Sequence, residues 1–198
     1  VDADGLLCAT WSGFDDIPFL GTPPPFHLGF NTSSDGGATW GIARSLRMVE
    51  FNYGAHGVSF FNHPTIAVDR SNGPRRGWLY IAFAERTGPG IDIFLTRSSD
   101  HGITWSSPVR VNQDSDLARD QWQPWIAVDP ATGRLFVAYI DCRNAMNNDS
   151  LQVYVSASID GGNTFRDFLV SDTPFVPTAV QQSPPIAPQY MGSYIGIT

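Results

Sequence analysis

The sequence contains no lysine, only two cysteines and no apolar run that approaches the roughly 20 residues of a membrane-spanning helix. It also lacks helical periodicity, the Cys and His spacings of zinc sites, a glycine-rich phosphate loop and the serine of a nucleophile elbow. Glycine, proline and aromatic residues are frequent, which favours an all-β protein with many turns. The formal net charge of −7 makes nucleic acid and anionic membranes poor candidate partners.

One pattern, Ser-x-Asp-x-Gly-x-Thr followed by an aromatic residue, occurs three times, and we name its copies box 1 (33–40), box 2 (98–105) and box 3 (158–165). The Asp can accept backbone N–H bonds and close a turn, the Gly can take a positive φ, and the aromatic residue is expected to pack in the core. Catalysis rarely needs one acid three times, so we predict structural turns. The predicted structural residues are Ser33, Asp35, Gly37, Thr39, Trp40, Ser98, Asp100, Gly102, Thr104, Trp105, Ser158, Asp160, Gly162, Thr164 and Phe165.

The boxes are spaced regularly along the chain. Asp35 and Asp100 are 65 residues apart, and Asp100 and Asp160 are 60 apart. A second motif, Pro-x-Ile-Ala-Val-Asp, occurs at 64–69 and at 124–129, which are also 60 residues apart. A fixed internal period indicates stacked copies of one supersecondary unit.

The boxes resemble the Asp-box, or BNR repeat, of the sialidase-like β-propellers, with Phe165 in place of the tryptophan in box 3. The resemblance covers nearly the whole chain and implies four-stranded antiparallel blades around a central axis. It predicts a blade at 1–50 without its inner strand, blades at 63–112 and 123–171, and the start of another at 189–198. About three blades plus one inner strand cannot close a six- or seven-bladed ring. The remainder would come from a longer propeller or from a second copy.

Strand order places the boxes on one face of such a propeller and the long connections on the opposite face. We expect carbohydrate or acidic ligands to bind on that opposite face, where aromatic and charged residues collect. The candidate ligand-face residues are Asp15, Asp16, His56, His63, Glu85, Arg86, Arg119, Asp120, Trp122, Asp141, Arg143 and Tyr190.

Some of these candidates also have a structural interpretation. Glu85 with Arg86, and Asp141 with Arg143, occupy equivalent places in successive units, so we favour salt bridges between blades over ligand contacts there. We likewise favour a hydrogen-bonded structural role for His63, which precedes an inner-strand proline.

The sequence leaves three functions open. The first is an exported binding or assembly module for carbohydrate or a protein partner, located outside the cell, in the periplasm or at the cell surface. The second is an exo-sialidase, in which Arg86, Arg119 and Arg143 would grip a carboxylate and Tyr190 or Tyr194 would be the nucleophile, although the family's Arg-Ile-Pro signature is absent. The third is a structural subunit of a larger extracellular or membrane-attached complex. No cofactor is expected, except that acidic loops at 114–120 or 147–149 are candidate Ca²⁺ ligands.

Overall fold

A computed structural model describes residues 1, 5–13, 26–50, 54–55, 58–59, 63–146, 150–176 and 195–196. Within these ranges the chain forms thirteen β-strands and no helix, so none of the described residues forms a helix that could cross a membrane. The predicted all-β class is confirmed. The candidate residues Asp15, Asp16, His56 and Tyr190, together with Tyr194 and the loop 147–149, lie outside the described residues.

Eleven of the strands form three antiparallel sheets, in each of which neighbours along the chain are neighbours in space. Sheet 1 consists of β1 (Leu7–Gly13), β2 (Phe26–Ser33) and β3 (Arg44–Val49), and a short hairpin of β4 (Gly54–Ala55) and β5 (Val58–Ser59) follows. Sheet 2 consists of β6 (Thr65–Val68), β7 (Leu79–Arg86), β8 (Ile91–Ser98) and β9 (Val109–Arg110). Sheet 3 consists of β10 (Gln121–Val128), β11 (Leu135–Asp141), β12 (Gln152–Ser158) and β13 (Arg166–Leu169).

The three sheets share one register. The first serine of each box pairs across the strands with a leucine: Ser33 with Leu7, Ser98 with Leu79, and Ser158 with Leu135. A one-residue slip would reverse which side chains face the core, so an equal register gives every sheet the same buried face. The regular spacing of the boxes therefore corresponds to structurally equivalent units.

Two hydrophobic cores hold the sheets against one another. The smaller core joins sheets 1 and 2 through Phe30 and Ile81, and the larger joins sheets 2 and 3 through Leu95 and Tyr139. Ile195 packs against the larger core. Inner strand β6 lies beside both β1 and β10, so the strands nearest the centre follow one another around an axis.

Some strand boundaries differ from the sequence expectation. Strand β10 begins at Gln121 and not at the proline of the repeated motif, because an irregularity between Trp122 and Trp125 lets pairing with β11 continue past that point. The sequence predicts an outer strand at 40–49 after box 1, but outer strand β3 begins at Arg44.

Candidate functional site

The three boxes have one hydrogen-bond geometry. In each, the serine hydroxyl donates to the aspartate Oδ1 at 2.7–2.8 Å and accepts the N–H of the second residue after the Asp at 2.8–2.9 Å. The threonine N–H donates to the same Oδ1 at 2.8–3.0 Å, and the threonine hydroxyl donates to Oδ2 at 2.5–2.6 Å. Both carboxylate oxygens of each aspartate therefore accept hydrogen bonds from within its own box, so the boxes are structural turns.

These bonds favour the charged carboxylate. Hydrogen bonds from Thr39 and Ser33 lower the pKa of Asp35 from 3.8 to about 2, and Thr104 and Ser98 do the same for Asp100. Slight burial raises the pKa of Asp160, but its hydrogen bonds outweigh that effect and lower it to about 2. A carboxyl group that ionises so readily is poorly suited to act as a general acid.

The expected packing of the box aromatic residue holds for two boxes only. Trp105 meets Phe30 edge to face with the ring centroids 5.0 Å apart, and Phe165 packs against the larger core. The expectation is wrong for Trp40, whose side chain is 46% exposed. Trp105 is covered because it packs on the preceding sheet, whereas no sheet in the described part of the chain precedes sheet 1 and could cover Trp40.

On the opposite face, four candidate ligand contacts are buried: Glu85, Asp120, Trp122 and Asp141. Exposed fractions of 1–6% leave them no surface for a ligand, so their assignment as ligand contacts is not supported. Trp122 belongs to the core between sheets 2 and 3, and Asp120 accepts the N–H of Ile91 at 2.9 Å. These side chains secure the connections between sheets.

Glu85 forms a salt bridge between sheets, but with a partner that the sequence did not indicate. Its carboxylate lies 2.7 Å from the guanidinium of Arg47 in β3. Burial raises the pKa of Glu85, and Arg47 opposes that shift. The adjacent Arg86 instead donates to the carbonyl oxygen of Pro89 at 2.5 Å and lies 4.0 Å from Asp120.

Arg143 is the centre of a buried network in sheet 3. Its guanidinium contacts Asp141 at 2.7 Å and Asp167 at 2.6 Å, and it stacks 4.1 Å from the ring centroid of Tyr154. Burial raises the pKa of Asp141, and the hydrogen bonds from Arg143 oppose that shift. Arg119 is likewise occupied, since it donates to Asp116 at 2.8 Å and to the carbonyl oxygen of Ala145.

A different set of residues forms an accessible concave site beside the inner strands. This channel-side cleft has a volume of about 370 Å³ and lies where β1, β6 and β10 approach. It is lined by Thr10, His63, Pro64, Thr65, Ile66, Pro124, Trp125 and Ile126. Of the candidate ligand-face residues that the structure describes, only His63 lines the cleft.

Trp125 provides the largest aromatic surface of the channel-side cleft and is 36% exposed. The hydroxyl of Thr65 donates to the carbonyl oxygen of Pro124 at 3.2 Å and accepts the N–H of Ile126 at 3.2 Å, which ties β6 to β10. The hydroxyl of Thr10 donates to Gly29 O at 2.9 Å. The cleft therefore combines one aromatic face with a few oriented polar groups.

The backbone beside the cleft is irregular. Gln123 has a φ of 54°, in the left-handed region that non-glycine residues rarely adopt, and it lies in the register shift between Trp122 and Trp125. Bulges and strained residues occur preferentially next to functional sites. This strain lies directly before Pro124 and Trp125, which makes the channel-side cleft a candidate functional site.

Sequence reasoning missed Trp125, although the repeat contained a signal. The two inner-strand motifs, at 64–69 and at 124–129, agree at every position except the second, which is Thr65 in one and Trp125 in the other. Both of these residues line the cleft. The difference between Thr65 and Trp125 was therefore the one signal for this position in the repeat.

Two acidic side chains of the loop at 114–120 are paired with arginines. Asp114 pairs with Arg110 at 3.0 Å, and Asp116 pairs with Arg119 at 2.8 Å. Among the residues that the structure describes, no group of three His, Cys, Asp or Glu side chains is arranged to hold a metal ion.

No protein-family model matches this chain, and a search of curated proteins found no match. Solved structures do match. An α-L-arabinofuranosidase from Fusarium graminearum superposes with a TM-score of 0.55 and 18% identity over 89% of this chain and 48% of its own. The α-L-arabinanase of Penicillium chrysogenum, in complex with arabinobiose, superposes with a TM-score of 0.54 and 22% identity. The match covers 88% of this chain and 48% of the arabinanase. A Hadza microbial sialidase superposes with a TM-score of 0.56 and 21% identity. The match covers 84% of this chain and 35% of the sialidase.

All three of these neighbours are β-propeller glycoside hydrolases. At such identities the likeness establishes the architecture alone. The chain is therefore a β-propeller portion that spans between about a third and a half of the length of these structures.

Proposed function

We propose that this chain forms a sugar-binding part of a carbohydrate-active propeller of the glycoside hydrolase type. The observation that carries the proposal is the channel-side cleft with Trp125 at its surface. A sugar ring can stack its C–H face on an indole while hydroxyl and imidazole groups bond to its hydroxyls. The arabinanase and the arabinofuranosidase have the same fold, and the arabinanase holds arabinobiose.

A neutral sugar fits the cleft better than sialic acid does. Recognition of a sugar carboxylate normally uses arginine, whose planar fork binds it through two hydrogen bonds. None of the residues described as lining the cleft is an arginine. Arg86, Arg119 and Arg143 are engaged by carbonyl oxygens and carboxylates elsewhere, which disfavours these three as a carboxylate-binding trio.

Hydrolysis of a glycosidic bond ordinarily requires a pair of carboxyl groups flanking that bond. The described lining of the channel-side cleft includes no Asp or Glu. A complete catalytic site would therefore draw its carboxyl groups from residues outside this lining. Sugar binding is the activity that the described residues support directly, and the binding-module hypothesis differs from the hydrolase only in lacking that pair.

Saturation-transfer NMR with arabinobiose and with 3′-sialyllactose tests the proposal. We expect transfer to arabinobiose, loss of that transfer in Trp125→Ala and Trp125→Thr, and retention in Trp125→Phe, which keeps an aromatic face. Trp11→Ala is the matched control, because Trp11 is 38% exposed and does not line the cleft. Preferential transfer to sialyllactose would favour the sialidase alternative, and transfer to neither sugar would contradict the proposal.

A p-nitrophenyl α-L-arabinofuranoside assay on the same samples separates the two carbohydrate roles. Turnover that Trp125→Ala abolishes would establish the hydrolase. Binding without turnover would establish a binding module.

A further inference from the structure

The hydroxyl of Thr65 in β6 bonds to the backbone on both sides of Trp125. It donates to the carbonyl oxygen of Pro124 and accepts the N–H of Ile126, both at 3.2 Å. These two atoms belong to the two peptide groups that flank the Cα of Trp125. Because each peptide group is planar, holding both planes restrains φ and ψ at Trp125, and with them the direction in which its side chain leaves the backbone.

The ladder between β10 and β11 is interrupted just before this point. Pairing shifts by one residue between Trp122 and Trp125, so Gln123 and Pro124 lie opposite a single residue of β11. An extra residue of this kind locally disrupts a ladder, and proline has no N–H to donate to one. The backbone that leads into Trp125 is therefore held from the side of β6 by Thr65.

The orientation of Trp125 depends on its backbone more than that of a core tryptophan does. Trp122 is buried in the larger core, where packing on all sides holds the ring. Trp125 is 36% exposed and lines the channel-side cleft. A ring that is already held in its binding orientation spares the ligand the cost of ordering it.

A second threonine of the cleft has a different arrangement. Thr10 also lines the channel-side cleft, but its hydroxyl donates to the carbonyl oxygen of Gly29 in its own sheet. The hydroxyl of Thr65 instead crosses from sheet 2 to sheet 3 and reaches the backbone around the one tryptophan of the described lining.

We infer that Thr65 is a positioning residue for sugar recognition, because its hydroxyl holds the backbone on both sides of Trp125 and so presents the indole face to the cleft. This inference rests on the proposed sugar binding and deepens it, since it names the group that prepares the aromatic surface before the ligand arrives. Thr65 acts through Trp125 and does not need to touch the sugar itself.

The first test is the indole ¹H–¹⁵N signal of Trp125 in the sugar-free protein, assigned by its loss in Trp125→Phe. Thr65→Val removes the hydroxyl but keeps the branched shape, so the Trp125 signal should shift or split, while Thr65→Ser should leave it in place. Thr96→Val is the matched control, because its hydroxyl donates to the carbonyl oxygen of Ser106 at 2.8 Å and Thr96 does not line the cleft. An unmoved signal in Thr65→Val, or an equal movement in Thr96→Val, would overturn the inference.

The second test is the affinity of the same variants for arabinobiose, measured by titration calorimetry. Thr65→Val should bind about three- to tenfold more weakly, because the binding-competent orientation is less populated once these hydrogen bonds are lost. Thr65→Ser and Thr96→Val should bind as the wild type does. Wild-type affinity in Thr65→Val, despite a displaced indole signal, would overturn the role in recognition.

The two measurements separate this inference from the proposed function. A wild-type chain that does not bind arabinobiose contradicts the proposed sugar binding. The indole signal is read without sugar, so it still decides whether Thr65 holds Trp125 in place.

Discussion

The box face and the opposite face differ in how closely the repeats copy one another. All three boxes make the same four hydrogen bonds, with equivalent distances that agree within 0.2 Å. On the opposite face, the acids at equivalent positions pair differently. Glu85 pairs with Arg47 of the preceding sheet, and Asp141 pairs with Arg143 of its own loop. The units therefore share the hydrogen bonds of their boxes and differ where side chains contact the connections and the channel-side cleft.

The largest effect is expected from Arg143→Met on the opposite face. Removal of the guanidinium leaves Asp141 and Asp167 buried without a counter-charge, which costs about 3–5 kcal/mol of unfolding free energy. Urea denaturation measures this change. The control is Arg70→Met, because Arg70 is exposed and its guanidinium donates to the carbonyl oxygen of Val1 and not to a buried carboxylate among the described residues, so a change within about 0.5 kcal/mol is expected. Equal midpoints for the two variants would contradict the network's structural role.

On the box face, Gly102→Ala tests the close approach to sheet 1. The substitution combines a φ of +82° with a Cβ that would overlap the Phe30 ring, and we expect a loss of about 2–4 kcal/mol. Gly36→Ala has a similar φ of +72° but meets nothing within 4 Å, so about 1 kcal/mol is expected. Thermal melts of both variants separate backbone strain from packing. A similar loss in both would mean that the contact with Phe30 contributes nothing.

As the pH falls, the buried acids should take up protons before the box aspartates do. The box aspartates have a pKa of about 2 in the folded chain against an ordinary value of 3.8, so their stabilisation is complete above that value and disappears as the pH falls from about 4 to 2. Glu85 and Asp141 have the opposite shift, because burial raises their pKa values. Carboxyl ¹³C titration resolves the two groups. Box aspartates that titrate near 4 would contradict this assignment.

A companion variant tests the cause of the low pKa values. Thr104→Val removes the hydroxyl that donates to Asp100 at 2.6 Å, so the pKa of Asp100 should rise while that of Asp35 stays low. An unchanged pKa for Asp100 would show that this hydroxyl is not the main cause.

The smallest effect on stability is expected at the channel-side cleft. His63 is exposed, so His63→Ala should change the free energy of unfolding by less than the loss of about 1 kcal/mol expected for Gly36→Ala. Loss of one hydrogen bond to a sugar should weaken arabinobiose binding about two- to tenfold, as titration calorimetry would show. A large loss of stability with unchanged binding would assign His63 a structural role instead.

The fold and the boxes could be predicted because their chemistry is local. Each box completes its bonds within eight residues, so Ser98, Asp100 and Thr104 in the sequence already contain the turn. The partner of Glu85 is 38 residues away, and its identity depends on how sheet 1 packs on sheet 2.

The candidate site was predicted less well for the same reason. Trp125 becomes part of a cleft only when β6 and β10 approach, although its difference from Thr65 was visible in the repeat. The exposure of Trp40 depends on which sheet lies beside it, and the box pattern itself carries no information about that neighbour.

The division between the two faces is tested most directly by arabinobiose titration of the ¹⁵N-labelled chain, followed by amide chemical shifts. We expect shift changes at Thr10, Thr65 and Trp125 in the channel-side cleft and none at Gly102 or Gly162 in the boxes. Changes centred on the box glycines, with the cleft amides unmoved, would contradict it.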